Sequence, residues 1–213
     1  MEAILSDAEV RVLGSLIEKE LSTPDYYPLS LNALTNACNQ KSNRDPVVSY
    51  DDSTVLTVLD DLVQKGLVSK SSVSRVPKYE ECFTGERNLV ARESSVLCVL
   101  FLRGPQTPGM IRGRTARLYH FGNLEELQET LSDLEEWGYV RRLSRMPGHK
   151  EVRYMHLLSG EPEIIEPERA PAPGEGITRN TERIDKIEQD IETLKNDLED
   201  FKKVFQEFKR QFE

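Results

Sequence analysis

The chain has 213 residues, a net charge of −9 and 38% hydrophobic residues, enough for one large or two small domains with a surplus of polar surface. No run approaches the ~18 apolar residues of a membrane span. The opening MEAILSDAEV holds neither a basic n-region nor an apolar h-region, so a cytoplasmic protein with no membrane partner is expected. Charge is unevenly spread: residues 1–90 carry 9 Lys/Arg against 14 Asp/Glu, residues 91–160 carry 10 against 8, and residues 161–213 carry 9 against 15. Only the middle section can offer phosphate a basic face. Cys38, Cys82 and Cys98 lack metal-ligand spacing and are read as structural thiols, Cys82 near the surface.

In chain order, Ser6 to Leu21 is an amphipathic helix, with Ser6 and Glu9 at capping-box spacing and Val10, Leu13, Leu16, Ile17 and Leu21 on one face. The prolines of TPDYYP (23–28) make that stretch a loop. A second helix starts near Ser30, and NQKSNRDPVVSY (39–50) is a long polar connection, extended before Pro46. A third helix runs from about Asp51 to Lys65 and stops at Gly66, and Leu67 to Phe83 holds a strand pair.

The order then repeats. LDDLVQKGLVSK (59–70) matches LSDLEEWGYVRR (131–142), and SRVPK from Ser74 matches SRMPG from Ser144, a spacing of about 70 residues that marks a duplicated fold. In the second copy, Glu93 to Leu102 is apolar enough to be a central helix. Thr107 and Pro108 supply an N-cap and N1 proline for a short helix towards Leu118. Asn123 to Trp137 is the third helix, and Val140–Met146 with Lys150–Leu158 form a hairpin around Pro147-Gly148. A helix followed at once by a hairpin has the pattern of a winged helix. The fold class is therefore mainly α with small β-hairpins (α+β): winged-helix domains over 1–90 and 91–160, a Pro/Glu/Gly-rich linker over 161–176 and a heptad helix over 177–213.

In that last segment Ile177, Ile184, Ile191, Leu198, Phe205 and Phe212 recur every seventh residue, and Ile187, Leu194, Phe201 and Phe208 fill the second apolar position. That is a coiled-coil seam. A parallel pairing would set Arg183 against Glu188, Asp190 against Lys195 and Asp197 against Lys202, which selects orientation and adds little stability. Homodimerisation through Ile184, Ile187, Ile191, Leu194, Leu198, Phe201, Phe205 and Phe208 is expected; the alternative is a helix folded back on its own domains.

No phosphate-binding glycine loop, zinc ligand set or nucleophile motif is present, so neither cofactor, metal nor enzymatic activity is expected. His156 alternates with Tyr154 and Leu158 and is read as a packed strand histidine. Base readout by the third helix of the second copy is disfavoured, because Glu125, Glu126, Glu129, Asp133, Glu135 and Glu136 would repel a duplex. The cations lie beside it: Arg112, Arg114 and Arg117 before the helix, and Arg141, Arg142, Arg145, Lys150 and Arg153 in the hairpin. They form one patch if the hairpin folds towards the short second helix; the competing reading has the helix's own glutamates neutralise them.

Three stretches, CNQKSNRDPV (38–47), RGRTARLYHF (112–121) and MPGHKEVRYMHLLSG (146–160), strongly resemble the YceH-like family of bacterial proteins over essentially the whole chain. The resemblance implies two tandem winged-helix domains with a carboxy-terminal helix, and no particular activity. It carries over Asn43, Arg44, Asp45, Pro46, Arg112, Arg114, Arg117, Pro147, Gly148, Lys150, Arg153 and His156 as motif residues. The chain departs from the expected pattern at Glu80-Glu81-Cys82, where further basic residues would follow Lys78-Tyr79, and this weakens phosphate binding by the first wing. Two expectations result: nucleic-acid binding, DNA in particular, through the basic hairpin of the second domain, or a protein-interaction scaffold using the acidic third helices and the tail.

Overall fold

The computed structural model describes residues 4–71, 75–144 and 151–160, which form a mixed α+β protein of seven helices and two small antiparallel sheets. The tail expectations, from the linker to the heptad helix and its dimer seam, lie outside the described residues, as do Arg145, Pro147, Gly148 and Lys150.

Local chemistry sets the element ends. Helix α1 (Asp7–Ser22) opens with a reciprocal capping box: the Glu9 amide donates to Ser6 Oγ at 3.3 Å and the Ser6 amide to Glu9 Oε2 at 2.8 Å. Lys65 closes on the same carboxylate. The stretch expected as a loop contains a 3-10 turn over Pro24–Tyr26, which accommodates Pro24 at its first position, followed by the two-residue strand β1 (Leu29–Ser30). Ser30 caps α2 (Leu31–Cys38) and Asp51 caps α3 (Asp52–Gln64). Strands β2 (Val68–Ser71) and β3 (Lys78–Glu81) follow, with β3 central in the order β1-β3-β2 and Tyr79 opposite both Leu29 and Lys70. A single-turn helix α4 (Phe83–Glu86) closes the first half.

The second half repeats this plan. Helix α5 (Ala91–Arg103) is buried on all sides from Glu93 to Leu102. Helix α6 (Pro108–Thr115), capped by Thr107, stops short of the expected Leu118. Helix α7 (Leu124–Glu136) is capped by Asn123, and the left-handed Gly138 (φ 79°) turns the chain into the hairpin, as Gly66 (φ 72°) does in the first half. The described strands are shorter than expected, β4 (Val140–Arg142) and β5 (Tyr154–His156). The ladder runs outward from Val140 opposite His156, where burial makes pairing worthwhile, and ends at Arg142 opposite Tyr154. Each half also carries a bridge just before its second helix: Leu29 pairs with Tyr79, and Gln106 pairs with Tyr154.

Residues 1–162 make one compact unit, and α1 packed on α5 is its axis. A Cβ at Gly14 would lie 2.8 Å from Phe101 Cβ, so the helices meet at a glycine, and Cys98 Sγ donates to the Gly14 carbonyl at 3.5 Å. Phe83 of the first half meets Phe101 and Tyr139 of the second edge-on, with centroids 6.0 and 5.9 Å apart.

The long polar connection is nailed to both halves. Asn39 closes it with paired bonds to the Tyr50 backbone at 2.7 and 2.8 Å. Arg11 on α1 donates to the Pro46 carbonyl at 2.5 Å, and the Asp45 amide donates to the Leu102 carbonyl at 2.9 Å. Between them Arg44, whose side chain is wholly buried, donates bidentately to Glu18 at 3.0 and 2.6 Å and caps the end of α2 through the Ala37 carbonyl at 2.9 Å. A buried guanidinium needs this full satisfaction.

Candidate nucleic-acid interface

Of the three arginines between 112 and 117, two line a cleft and the third does not. Arg112 is exposed and donates to the Gly122 carbonyl at 3.0 Å, so it straps α6 to the start of α7. Arg114 and Arg117 project with Gly113 and Leu118 into a cleft of about 910 Å³. Opposite them stand Glu18, Lys19 and Ser22 from the end of α1, residues 40–43 of the polar connection, and Cys98, Val99, Leu102 and Arg103 of α5. Five cations, Lys19, Lys41, Arg103, Arg114 and Arg117, thus line the cleft with one carboxylate. That carboxylate is committed: Arg44 takes both oxygens of Glu18 and Lys19 approaches at 3.3 Å. Burial alone would disfavour the charged Glu18, but Arg44 and Lys19 outweigh it and hold its pKa below the ordinary carboxylate value.

The second feature is the tie between α6 and the hairpin. Gln106, just ahead of the α6 cap, exchanges backbone bonds with Tyr154 at 3.0 and 2.8 Å, while its side-chain oxygen accepts from Arg114. Tyr154 faces Arg142 across the ladder, and Leu143 donates to the Arg153 carbonyl at 2.8 Å. A backbone bridge thus ties the segment entering α6 to β5; Arg141 and Arg142 lie on β4, Arg153 lies just before β5, and Arg112 lies at the α7 side.

Three of the six α7 carboxylates have partners. Glu126, counted above with the outward-facing six, is half-buried and accepts from Tyr119 Oη at 2.7 Å and the Gly122 amide at 2.8 Å. Asp133 pairs with Arg92 at 3.7 Å, and Glu135 accepts the Arg142 amide at 2.9 Å. Glu125, Glu129, Glu135 and Glu136 remain exposed, so the outer face of α7 is acidic.

Lys19, Lys41 and Arg103 are absent from the sequence-derived candidates because they belong to other elements and join α6 only through the packing of α5 on α1 and α6. The same holds for a carboxyl pair at the other end of the sheet. Glu20 hydrogen-bonds Glu81, and burial first, then Glu81 and Glu80, raise the Glu20 pKa well above the ordinary carboxylate value. His156 is buried against Phe101 with ring centroids 5.1 Å apart, its Nδ1 has no partner, and burial lowers its pKa to about 4. Cys38 and Cys98 are buried and Cys82 half-buried, all free thiols. Among the described residues no group of three or more His, Cys, Asp or Glu could hold a metal ion, and no helix is long and apolar enough to cross a membrane.

Seven helices, two small antiparallel sheets and a basic cleft define the class, a mixed α+β protein. Comparison with known proteins supplies the family: residues 5–149 match the model described as "Protein of unknown function, DUF480", and the chain belongs to that bacterial family. It is similar to a UPF0502 protein of Solibacter usitatus, 53% identical over 191 residues covering 89% of this chain and 92% of the relative. It is also similar to UPF0502 proteins of Geobacter sulfurreducens (47% over 195 residues, 88% and 89% covered) and Aeromonas hydrophila (48% over 171 residues, 77% and 79% covered). These findings agree with the YceH-like resemblance at the level of an uncharacterised family.

Proposed function

We propose that the protein is a non-enzymatic, cytoplasmic tandem winged-helix protein that binds nucleic acid by its phosphate backbone, through α6 and the β4–β5 hairpin, with regulation as the role. The observation that carries this reading is the Gln106 tie: by pairing with Tyr154 and accepting from Arg114, it supports α6 and the hairpin acting as one cationic surface. Of the α7 carboxylates, Glu126 and Asp133 are engaged by Tyr119, the Gly122 amide and Arg92, which supports the Arg117 and Arg142 side chains meeting an external anion. The acidic outer face of α7 argues for contact with the backbone and against base readout.

The test is titration of a labelled duplex at two salt concentrations. Binding should appear at low salt and weaken as salt rises, and Arg117→Ala with Arg142→Ala should reduce the slope of log K against log salt by ~2. No binding at low salt, or a slope the double variant leaves alone, would remove the proposal.

One observation favours a scaffold as second reading. The acidic helices expose apolar side chains, Leu56 and Val63 seven apart on α3 and Leu124 on α7, with Trp137 at its end. A protein partner of opposite charge with an apolar centre would suit these faces. Substituting Leu56→Asp with Val63→Asp would then abolish partner cross-linking without altering duplex binding.

A further inference from the structure

The cleft is too small for the duplex that the basic face would engage. A volume of about 910 Å³ is roughly a cube 10 Å on a side, narrower than the ~12 Å major groove alone, so a duplex stays outside it. It does lie within the ~300–1,000 Å³ of small-molecule sites.

Its lining is mixed. Val99 of α5 and Leu118 after α6 supply apolar surface, and Gly113 leaves open space where a side chain would stand. Around them guanidinium and ammonium groups gather without a free counter-charge, because Glu18 is held by Arg44 and Lys19. Lys41 and Arg117 are exposed and pair with no carboxylate among the described residues. Burial, and then the like charges of Arg114 and Arg44, push the Arg103 pKa below the ordinary arginine value. Gathered like charges of this kind are relieved by a bound anion.

We infer that this cleft binds a small phosphorylated ligand of nucleotide size, its phosphates held by Lys41, Arg103, Arg114 and Arg117 and its uncharged body lying along Val99 and Leu118. Because Arg114 of α6 and Arg117 just after it line the cleft, and Gln106 ties the start of α6 to the hairpin, such a ligand draws on cations the basic face also uses. It thereby couples to that face as an effector.

The experiment is calorimetric titration of the full-length protein at low salt with ADP, inorganic pyrophosphate and a single-stranded oligonucleotide. ADP should bind at one site, at least about tenfold weaker in Lys41→Glu, which removes a phosphate contact, and in Gly113→Leu, which fills the space for the body. Pyrophosphate should weaken in Lys41→Glu alone. Both substitutions are at exposed positions, and circular dichroism melting confirms the fold. No binding of ADP, equal binding by both variants, or a single strand that binds more tightly than ADP and loses that binding in both would overturn the inference. Neither substituted residue lies on the hairpin, so duplex titration of the same variants separates failure of the ligand site from failure of the nucleic-acid reading.

Discussion

Arg44 shows how much a single side chain decides in this molecule. It is wholly buried, joins α1 to the end of α2, and presents its motif to the α5 side through neighbouring Asn43 and Asp45. Removing one partner of such a pair leaves the other charge buried and unmatched, so Arg44→Met should cost about 3–5 kcal/mol in chemical denaturation. His156 supplies a pH dependence of definite sign. Its folded pKa, about 4 against an ordinary 6.5, lies below its unfolded value, so the unfolded state takes up the proton first and stability is lost as pH falls from 6.5 towards 4. Between pH 7 and pH 5 this amounts to about 2 kcal/mol, and the loss should vanish in His156→Phe, measured by denaturant midpoints at both pH values. Glu20 works in the opposite direction: a folded pKa raised by burial and by Glu81 favours the protonated folded state, so its contribution fades as pH rises. Comparing wild type with His156→Phe isolates the histidine. The strand placement of His156 was legible from its alternation with Tyr154 and Leu158, whereas the Glu20–Glu81 bond, like the Arg44–Glu18 pair, joins residues with no local pattern between them.

At the scale of elements, legibility follows from how local the signal is. Caps, glycine stops and the 3.6 period are written within a few residues, and α1, α3 and α7 lie where Ser6, Asp51, Gly66, Asn123 and Gly138 predict, while α5 covers its apolar run from Glu93 to Leu102. The hairpin of the second half was drawn too long, because alternation continues past the point where burial ends at the Val140–His156 pair. The cleft was illegible for a related reason: its five cations come from four separate segments, which tertiary packing, α5 on both α1 and α6, brings together. That contact makes its own prediction. Alanine in place of a helix-interior glycine ordinarily stabilises by about 1 kcal/mol. At Gly14 the added methyl would meet Phe101 Cβ, so Gly14→Ala should instead destabilise by about 1–3 kcal/mol, seen as a lowered thermal midpoint.

For the whole molecule, the sequence repeat at about 70 residues is accompanied by a similar element order in the two halves, each with a bridge just before its second helix, at Leu29 and Gln106. Composition says nothing of how the copies adhere, because the residues that join them, Gly14, Phe83, Cys98 and Phe101, read as ordinary core. Assembly of whole chains is a separate question. The heptads from Ile177 to Phe212 predict that the full chain sediments as a dimer and that residues 1–160 sediment as a monomer; a dimeric 1–160 would contradict the coiled-coil proposal.

The seating of Gly14 against Phe101 also sets a schedule for synthesis. The Cys98–Gly14 hydrogen bond spans 84 positions; at roughly 5–20 residues per second, a ribosome needs about 4–17 s to supply the second helix after the first has emerged. Through that interval the nascent first copy carries an uncovered apolar stripe, the period in which a holdase chaperone would have most to protect. Swapping the gene order of the halves would leave the finished contacts intact while putting α5 in the waiting role, and soluble yield from such a permuted gene would report which helix tolerates the delay better.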